Sequence, residues 1–86
     1  MNPDVVAVTA QADYRLLVTF KTGERKSFDV RPYLQYPAFH KLTKPGYFEK
    51  AHVEYGTVVW DENTDLSPDS LFLEGVSAES SQKEGV

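Results

Sequence analysis

Apolar and polar residues alternate along the first third of the chain. Residues 5–11 are rich in β-branched side chains, and from residue 14 to residue 20 every second position holds a large apolar side chain. A period of two is typical of a strand that buries one face. Alternation resumes over residues 25–30, after a glycine-containing turn at residues 21–24. The pattern predicts an antiparallel meander of three strands.

The pattern changes after residue 30, where prolines appear. Pro32 and Pro37 each suit the first turn of a helix, because proline lacks an N–H group that would be unpaired in that turn. Residues 32–35 and 37–42 are therefore predicted to form short helices. We expect this middle segment to cover one face of the sheet.

A second hairpin and a last helix are predicted further along the chain. Residues 52–55 and 57–61 are strand-like runs on either side of Gly56, a residue type that favours tight turns. Ser67 and Pro68 then follow the order of an N-cap and a first helical position, so a short C-terminal helix is expected to begin there. The predicted fold class is α+β.

Length and composition set the scale of the protein. A chain of 86 residues forms one domain, and the absence of cysteine excludes disulfides and thiolate zinc sites. Residues 1–76 are assigned to a single α+β domain, and residues 77–86, which have almost no apolar side chains, are expected to form a disordered tail. The first residues lack the basic flank and apolar run of a signal peptide, and no segment is long enough to span a membrane. We expect a cytoplasmic protein with no membrane partner.

The charge balance lowers the expectation of nucleic-acid binding. Nine basic and thirteen acidic side chains give a net charge of -4, which repels phosphate backbones at long range. A local basic cluster can still bind nucleic acid despite the net negative charge. Basic and aromatic groups interleave over one segment, which contains Arg25, Lys26, Arg31, Tyr33 and Tyr36. Strand alternation places Arg25 and Lys26 on opposite faces, and tyrosines beside short helices commonly pack. We predict Arg25, Arg31, Tyr33 and Tyr36 as interaction residues, for protein or nucleic acid.

Signatures of catalysis or metal binding are weak. Residues 61–65 begin like a calcium loop, D-x-N-x-D, but its glycine and glutamate positions hold Leu66 and Phe72. We interpret this segment as a connection in which Asp and Asn side chains bind local backbone. A metal site built from His40 and His52 would need a third ligand brought in by the fold, and no serine lies in a G-x-S-x-G elbow. We predict no cofactor, no metal and no enzymatic activity.

The order of the motifs resembles the domain-of-unknown-function family 2442. That family has a three-stranded meander followed by a D-V-x-P-Y-L-like segment, an F-x-x-L helix, a V-x-x-G-x-V-x-W hairpin and a D-L-S-P-D-x-L motif. The corresponding segments here are residues 29–34, 39–42, 53–60 and 65–71. The resemblance spans residues 4–75, and its hairpin and last motif are the most specific part.

The resemblance implies structural roles for four residues of these motifs. Trp60 is expected in the core. Asp65 and Ser67 are expected to organise the entry to the last helix, which Pro68 opens. The family offers no established activity and no catalytic residues to carry over.

The resemblance also sets the functional expectations. Some longer members look as though they append a helix-turn-helix domain, and we expect no DNA reading by such a module here. Short members are often encoded beside another small protein, which suggests toxin–antitoxin pairing. We expect a non-enzymatic protein-interaction module, an antitoxin-like or accessory member of a bacterial two-protein system, whose partner is another small protein.

Other functions stay open from the sequence alone. One alternative is a nucleic-acid-binding regulator without a helix-turn-helix, which would use Arg25, Lys26 and Arg31. The least favoured alternative is an enzyme whose site only the fold assembles. An exposed sheet edge also leaves a homodimer as an expectation.

Overall fold

Two antiparallel sheets pack around one core in the computed structural model, which describes residues 2–78. The first sheet has the order β1-β2-β3-β7, with β1 at Val5–Gln11, β2 at Arg15–Phe20, β3 at Arg25–Asp29 and β7 at Val76–Ser77. The second has the order β4-β5-β6, with β4 at His52–Glu54, β5 at Thr57–Asp61 and β6 at Thr64–Leu66. The predicted α+β class, the three-stranded meander and the second hairpin are confirmed.

Short helical segments join the sheets. The α-helix α1 spans Pro68–Glu74, and 3-10 segments span Ala12–Tyr14, Arg31–Tyr33, Pro37–Thr43 and Phe48–Lys50. The two helices predicted after residue 30 are therefore 3-10 segments, because each proline starts a turn that the short following sequence does not extend. Within residues 2–78, no helix combines the length and apolar character needed to cross a bilayer.

The strand β6 corrects the interpretation of residues 61–65 as a plain connection. Leu66 pairs with Val58 and Thr64 pairs with Asp61, so the chain folds straight back onto β5 after a tight turn. A strand of three residues is too short to display a period of two in the sequence. The Asx interaction is nevertheless present, because the Asn63 N–H donates to Asp61 Oδ1 at 2.8 Å.

The strand β7 corrects the predicted start of the tail. Ser77 pairs with Lys26 and Val76 pairs with Ser27, so a residue that was assigned to a disordered tail is part of the first sheet. Sequence polarity does not reveal this pairing, because backbone hydrogen bonds to an existing strand edge need no apolar side chain. Residues 79–86 of the predicted tail lie outside the described residues.

The core lies between the inner face of the first sheet, the second sheet and α1. On β2, Leu16, Val18 and Phe20 are fully buried, and each such side chain contributes about 1.5–3 kcal/mol by leaving water. Twelve apolar residues are buried in the described part of the chain: Val5, Leu16, Val18, Phe20, Phe28, Val30, Leu42, Phe48, Val58, Trp60, Leu66 and Leu71.

Trp60 links the second sheet to the middle segment. Its side chain is 4% exposed, and its ring packs against Phe39 and Phe48. The indole N–H donates to the Phe48 carbonyl at 2.9 Å, so the one polar atom of the ring is paired in the core. The position expected from the family resemblance is the one observed.

The helix α1 begins at a cap that the sequence encodes. The Ser67 hydroxyl accepts a hydrogen bond from the Ser70 N–H at 3.2 Å, and Pro68 occupies the first turn. The cap satisfies a backbone donor that the helix itself cannot pair. Asp65, which was expected to share this role, is exposed on β6, and Asp69 in the first turn accepts a hydrogen bond from Asn2.

Asp61 joins the middle segment to the second sheet. Its carboxylate accepts hydrogen bonds from the Tyr47 hydroxyl, from Lys41 Nζ at 3.1 Å and from the Asn63 N–H. These three donors hold the pKa of Asp61 well below its usual range, and the hydrogen bond from the Tyr47 hydroxyl lowers it most. The same contact raises the pKa of Tyr47.

Positive φ angles occur at three non-glycine residues in the described chain, Asp13, Tyr14 and Tyr55. Such a conformation costs roughly 1–2 kcal/mol per residue, and aspartate tolerates it better than most other residues. Tyr14 bridges the first two strands at φ 59°, and its ring packs edge-on against Phe48 at 5.1 Å. Tyr55 and Gly56 form the two-residue turn between β4 and β5, at φ 52° and 77°.

Replacing Ser67 with alanine is expected to lower the free energy of unfolding by about 1 kcal/mol, because the Ser70 N–H loses its acceptor. Urea denaturation should show a lower midpoint with an unchanged slope. S67D supplies another good cap and should retain most of the stability. Equal loss in S67A and S67D would contradict the capping role.

Replacing Asp61 with asparagine is expected to destabilise the protein at neutral pH, because a neutral amide accepts weaker hydrogen bonds from Tyr47 and Lys41. The folded-state pKa is depressed, so the carboxylate contributes fully above its unfolded pKa of about 3.9 and loses its effect as the pH falls through the folded value. The urea midpoints of wild type and D61N should therefore differ at about pH 7, begin to converge below about pH 4 and coincide only as the pH falls through the depressed folded-state pKa of Asp61.

The neighbouring acid Glu62 supplies the control for this experiment, because it is exposed. E62Q should track the wild type at both pH values. A difference between wild type and D61N that does not shrink in acid would show that charge is not the cause.

Candidate interaction surface

The first sheet has a face that turns away from the core, here called the outer face. Residues opposite one another in antiparallel strands share a face, and the pairing aligns Thr9, Leu17, Ser27 and Val76 across all four strands. Leu17 is half-buried among its neighbours, and Val76 is 65% exposed. This row, here called the apolar row after Leu17 and Val76, also contains the small hydroxyl side chains of Thr9 and Ser27.

Polar and small residues flank the apolar row. On one side, Ala7, Thr19 and Arg25 pair across the strands. On the other side, Gln11, Arg15 and Asp29 pair in the same way. The outer face thus has a central row of apolar and small hydroxyl side chains, with one arginine on each side.

Lys26 lies on the opposite face from Arg25, as strand alternation predicts. Its ammonium Nζ donates to the Phe72 carbonyl at 2.7 Å and lies 4.1 Å from the centre of the Phe72 ring. A cation is favourable at this point because the last carbonyls of α1 carry partial negative charge. Lys26 therefore ties β3 to the end of α1.

Arg31 is held by an acid two residues away. Its Nη2 lies 2.9 Å from Asp29 Oδ2, its Nε also donates to that carboxylate, and its backbone N–H donates to Oδ1 at 3.0 Å. The side-chain hydrogen bond from Arg31 is the main cause of the lowered pKa of Asp29. The predicted basic group of Arg25, Lys26 and Arg31 is therefore not one surface: the first lies on the outer face, the second binds α1 and the third is neutralised by Asp29.

Tyr33 is a packing residue with an anchored hydroxyl. Its ring contacts Phe28, Tyr36 and Phe39 at centroid distances of 5.5–6.1 Å, and its hydroxyl donates to Glu74 Oε1 at 2.6 Å. The hydrogen bond to the carboxylate raises the pKa of Tyr33 to about 12. Tyr36 sits at the outside of this cluster and is 52% exposed.

A cleft of about 370 Å³ opens where β3 extends beyond β7. Arg15, Asp29, Pro32, Tyr33, Glu74 and Val76 are among its lining residues. Its acids already have partners, since Asp29 binds Arg31 and Glu74 binds Tyr33. The cleft can accept a side chain at the end of the apolar row, with Val76 common to both features.

His52 has local side-chain partners, whereas His40 is exposed. The Nε2 atom of His52 lies 2.7 Å from the Glu54 carboxylate, and its Nδ1 atom lies 2.9 Å from the Lys50 carbonyl. Both contacts raise the pKa of His52, and the contact with the Lys50 carbonyl has the larger effect. His40 is exposed on the 3-10 segment Pro37–Thr43. Within residues 2–78, no three His, Cys, Asp or Glu side chains are grouped so as to hold a metal ion.

Sequence reasoning misses the apolar row and the exposed tyrosine at the turn between β4 and β5. Leu17 occupies a polar phase of the β2 alternation, and an apolar residue in that phase is the signal that could have identified the row. Val76 gives no such signal, because β7 is too short to show a pattern.

The Tyr33–Glu74 contact predicts a specific titration. Because the folded-state pKa of Tyr33 is raised to about 12, this contact stabilises the fold below the unfolded pKa of about 10, and its effect is lost as the pH rises through 12. Ultraviolet titration should show a late-ionising tyrosine that Y33F removes and that E74Q shifts to lower pH. E62Q serves as the charge-matched control, and an E74Q titration identical to that of wild type would contradict the assignment.

The fold of this chain recurs in other proteins. The family described as "Protein of unknown function (DUF2442)" matches residues 5–77. Among solved structures, the chain resembles the "Crystal Structure of Putative DNA Binding Protein NE0471 from Nitrosomonas europaea ATCC 19718", with 30% identity and a TM-score of 0.74. This similarity covers 93% of the present chain and 52% of the other, so the chain spans about half the length of that protein. No curated protein matches the sequence. The motif resemblance is thus confirmed, and the chain belongs to the DUF2442 family.

Proposed function

We propose that this chain is a non-enzymatic interaction module that binds a partner protein on the outer face of its first sheet. In this proposal it acts as an accessory or antitoxin-like member of a bacterial two-protein system. The partner is another small protein, which covers the apolar row of Thr9, Leu17, Ser27 and Val76.

The apolar row is the observation that carries the proposal. Val76 is 65% exposed although a polar residue would serve equally well on a solvated strand. Protein interfaces commonly have an apolar centre and a polar rim, and the outer face has this arrangement, with Arg15 and Arg25 at its ends. Small side chains such as Ala7 and Thr9 let a partner approach the sheet closely.

A pull-down from the native cells at low and moderate salt, followed by direct binding of the purified partner, tests the proposal. V76K and T9K each place a charge on the apolar row at an exposed position and should weaken binding roughly tenfold or more. Far-ultraviolet circular dichroism should show that both variants remain folded.

Q35K is the matched control, because it adds the same charge at an exposed residue between two 3-10 segments, away from the outer face. It should bind as the wild type does. The absence of a stoichiometric protein at moderate salt, or equal binding by V76K and Q35K, would overturn the proposal.

DNA binding is the second candidate, because a structural relative is named "Putative DNA Binding Protein". The cations available on the outer face are Arg15 and Arg25, whereas Lys26 and Arg31 are engaged within the chain. If this candidate holds, R15A and R25A should weaken binding to a labelled duplex, and wild-type affinity should fall steeply between about 50 and 200 mM salt. A response that does not change with salt would remove the candidate.

A further inference from the structure

Tyr55 stands alone at the tip of the hairpin formed by β4 and β5. Its side chain is fully exposed, at 101% of the reference accessible surface, while its backbone has φ 52°. A two-residue turn of this kind favours asparagine or glycine at this position, because both tolerate a positive φ. A bulky residue here is an outlier that folding alone does not require.

Tyr14 shows how the fold normally compensates for such a conformation. Tyr14 also has a positive φ, but its ring packs against Phe48 and its carbonyl accepts a hydrogen bond from the Val30 N–H. The Tyr55 ring gains no comparable contact within residues 2–78. Strain that packing does not offset is found mostly at functional positions.

The backbone beneath Tyr55 is fixed in place. The Gly56 carbonyl accepts a hydrogen bond from the Val5 N–H at 3.0 Å, which joins the tip to the start of β1. A Cβ atom on Gly56 would lie 2.7 Å from Asp4 Cγ, so only glycine fits this approach. The tip therefore presents the Tyr55 ring from a rigid base, which lowers the entropy lost when a partner binds.

The surroundings of the ring combine apolar surface with negative charge. Val6, in the bulge after Val5, is 54% exposed, and the carboxylates of Asp4 and Glu54 flank the turn. One cation, Lys21, follows β2 and donates its N–H to the Asp4 carbonyl. His52 Nε2 lies 2.7 Å from the Glu54 carboxylate, so above the pKa of His52 two carboxylates against one ammonium group leave the tip negative and complementary to a basic surface.

We propose that the tip of the hairpin is a second contact point for the partner protein, in which Tyr55 enters an apolar pocket that the partner rims with arginine or lysine. The aromatic face attracts these cations directly, and Asp4 pairs with the remainder of the rim. Tyrosine is among the residues that most often dominate binding energy at interfaces. This inference rests on the proposed protein-binding function and assigns a second site to it.

The Y55N variant separates a binding role from a structural one. Asparagine tolerates the positive φ, so Y55N should raise the urea midpoint, whereas it should weaken binding of the purified partner roughly 30-fold. Y55F keeps the ring and should bind within a few-fold of wild type. L73N is the control, because it removes another large apolar side chain that is exposed, at 72%, and it should leave partner affinity unchanged.

A photo-crosslinking residue, p-benzoyl-phenylalanine, at position 55 identifies what the tip touches in cells. At position 55 the crosslinker should capture the same protein as the pull-down. The same crosslinker placed at position 62, on the exposed turn after β5, should not capture it. Crosslinking to a second copy of this chain, or unchanged partner affinity in Y55N, would overturn this inference while the outer-face function stands. Failure of the wild-type pull-down would remove both.

Discussion

The alternation of β2 is the constraint on which the rest of the structure depends. Leu16, Val18 and Phe20 point inward at the centre of the first sheet, and β1, β3, α1 and the second sheet are arranged around them. The same period of two turns Leu17 outward. One physical rule therefore produces both the core and the apolar centre of the outer face, and a shift in register of one residue would exchange them.

Charge inside this small domain is used mainly to join segments. Lys26 attaches β3 to α1, Asp61 gathers Lys41 and Tyr47, and Arg31 is paired with Asp29. No disulfide can make such links in a chain without cysteine. The contacts of Lys26 and Arg31 also engage two basic groups within the chain, and for this reason we propose a protein partner rather than nucleic acid.

The two strained tyrosines show that local rules are broken here for different reasons. Tyr14 accepts a positive φ because its ring then packs on Phe48 in the core. Tyr55 accepts the same conformation with its ring in solvent. Glycine occupies the positive-φ positions 23, 46 and 56, so residue type and backbone conformation agree there. A strained residue whose conformation no packing offsets is therefore a candidate for a binding role.

The sequence by itself determined the meander, the second hairpin, the capped helix and the burial of Trp60, because periodicity, proline, glycine and capping residues act over a few neighbouring positions. Only the tertiary structure decided that β6 and β7 exist, since short strands form on edges that distant segments provide. It also decided which predicted interaction residues are available. Arg31 and Tyr33 are engaged by Asp29 and Glu74, partners whose geometry a linear pattern does not show, whereas Arg25 stays on the outer face.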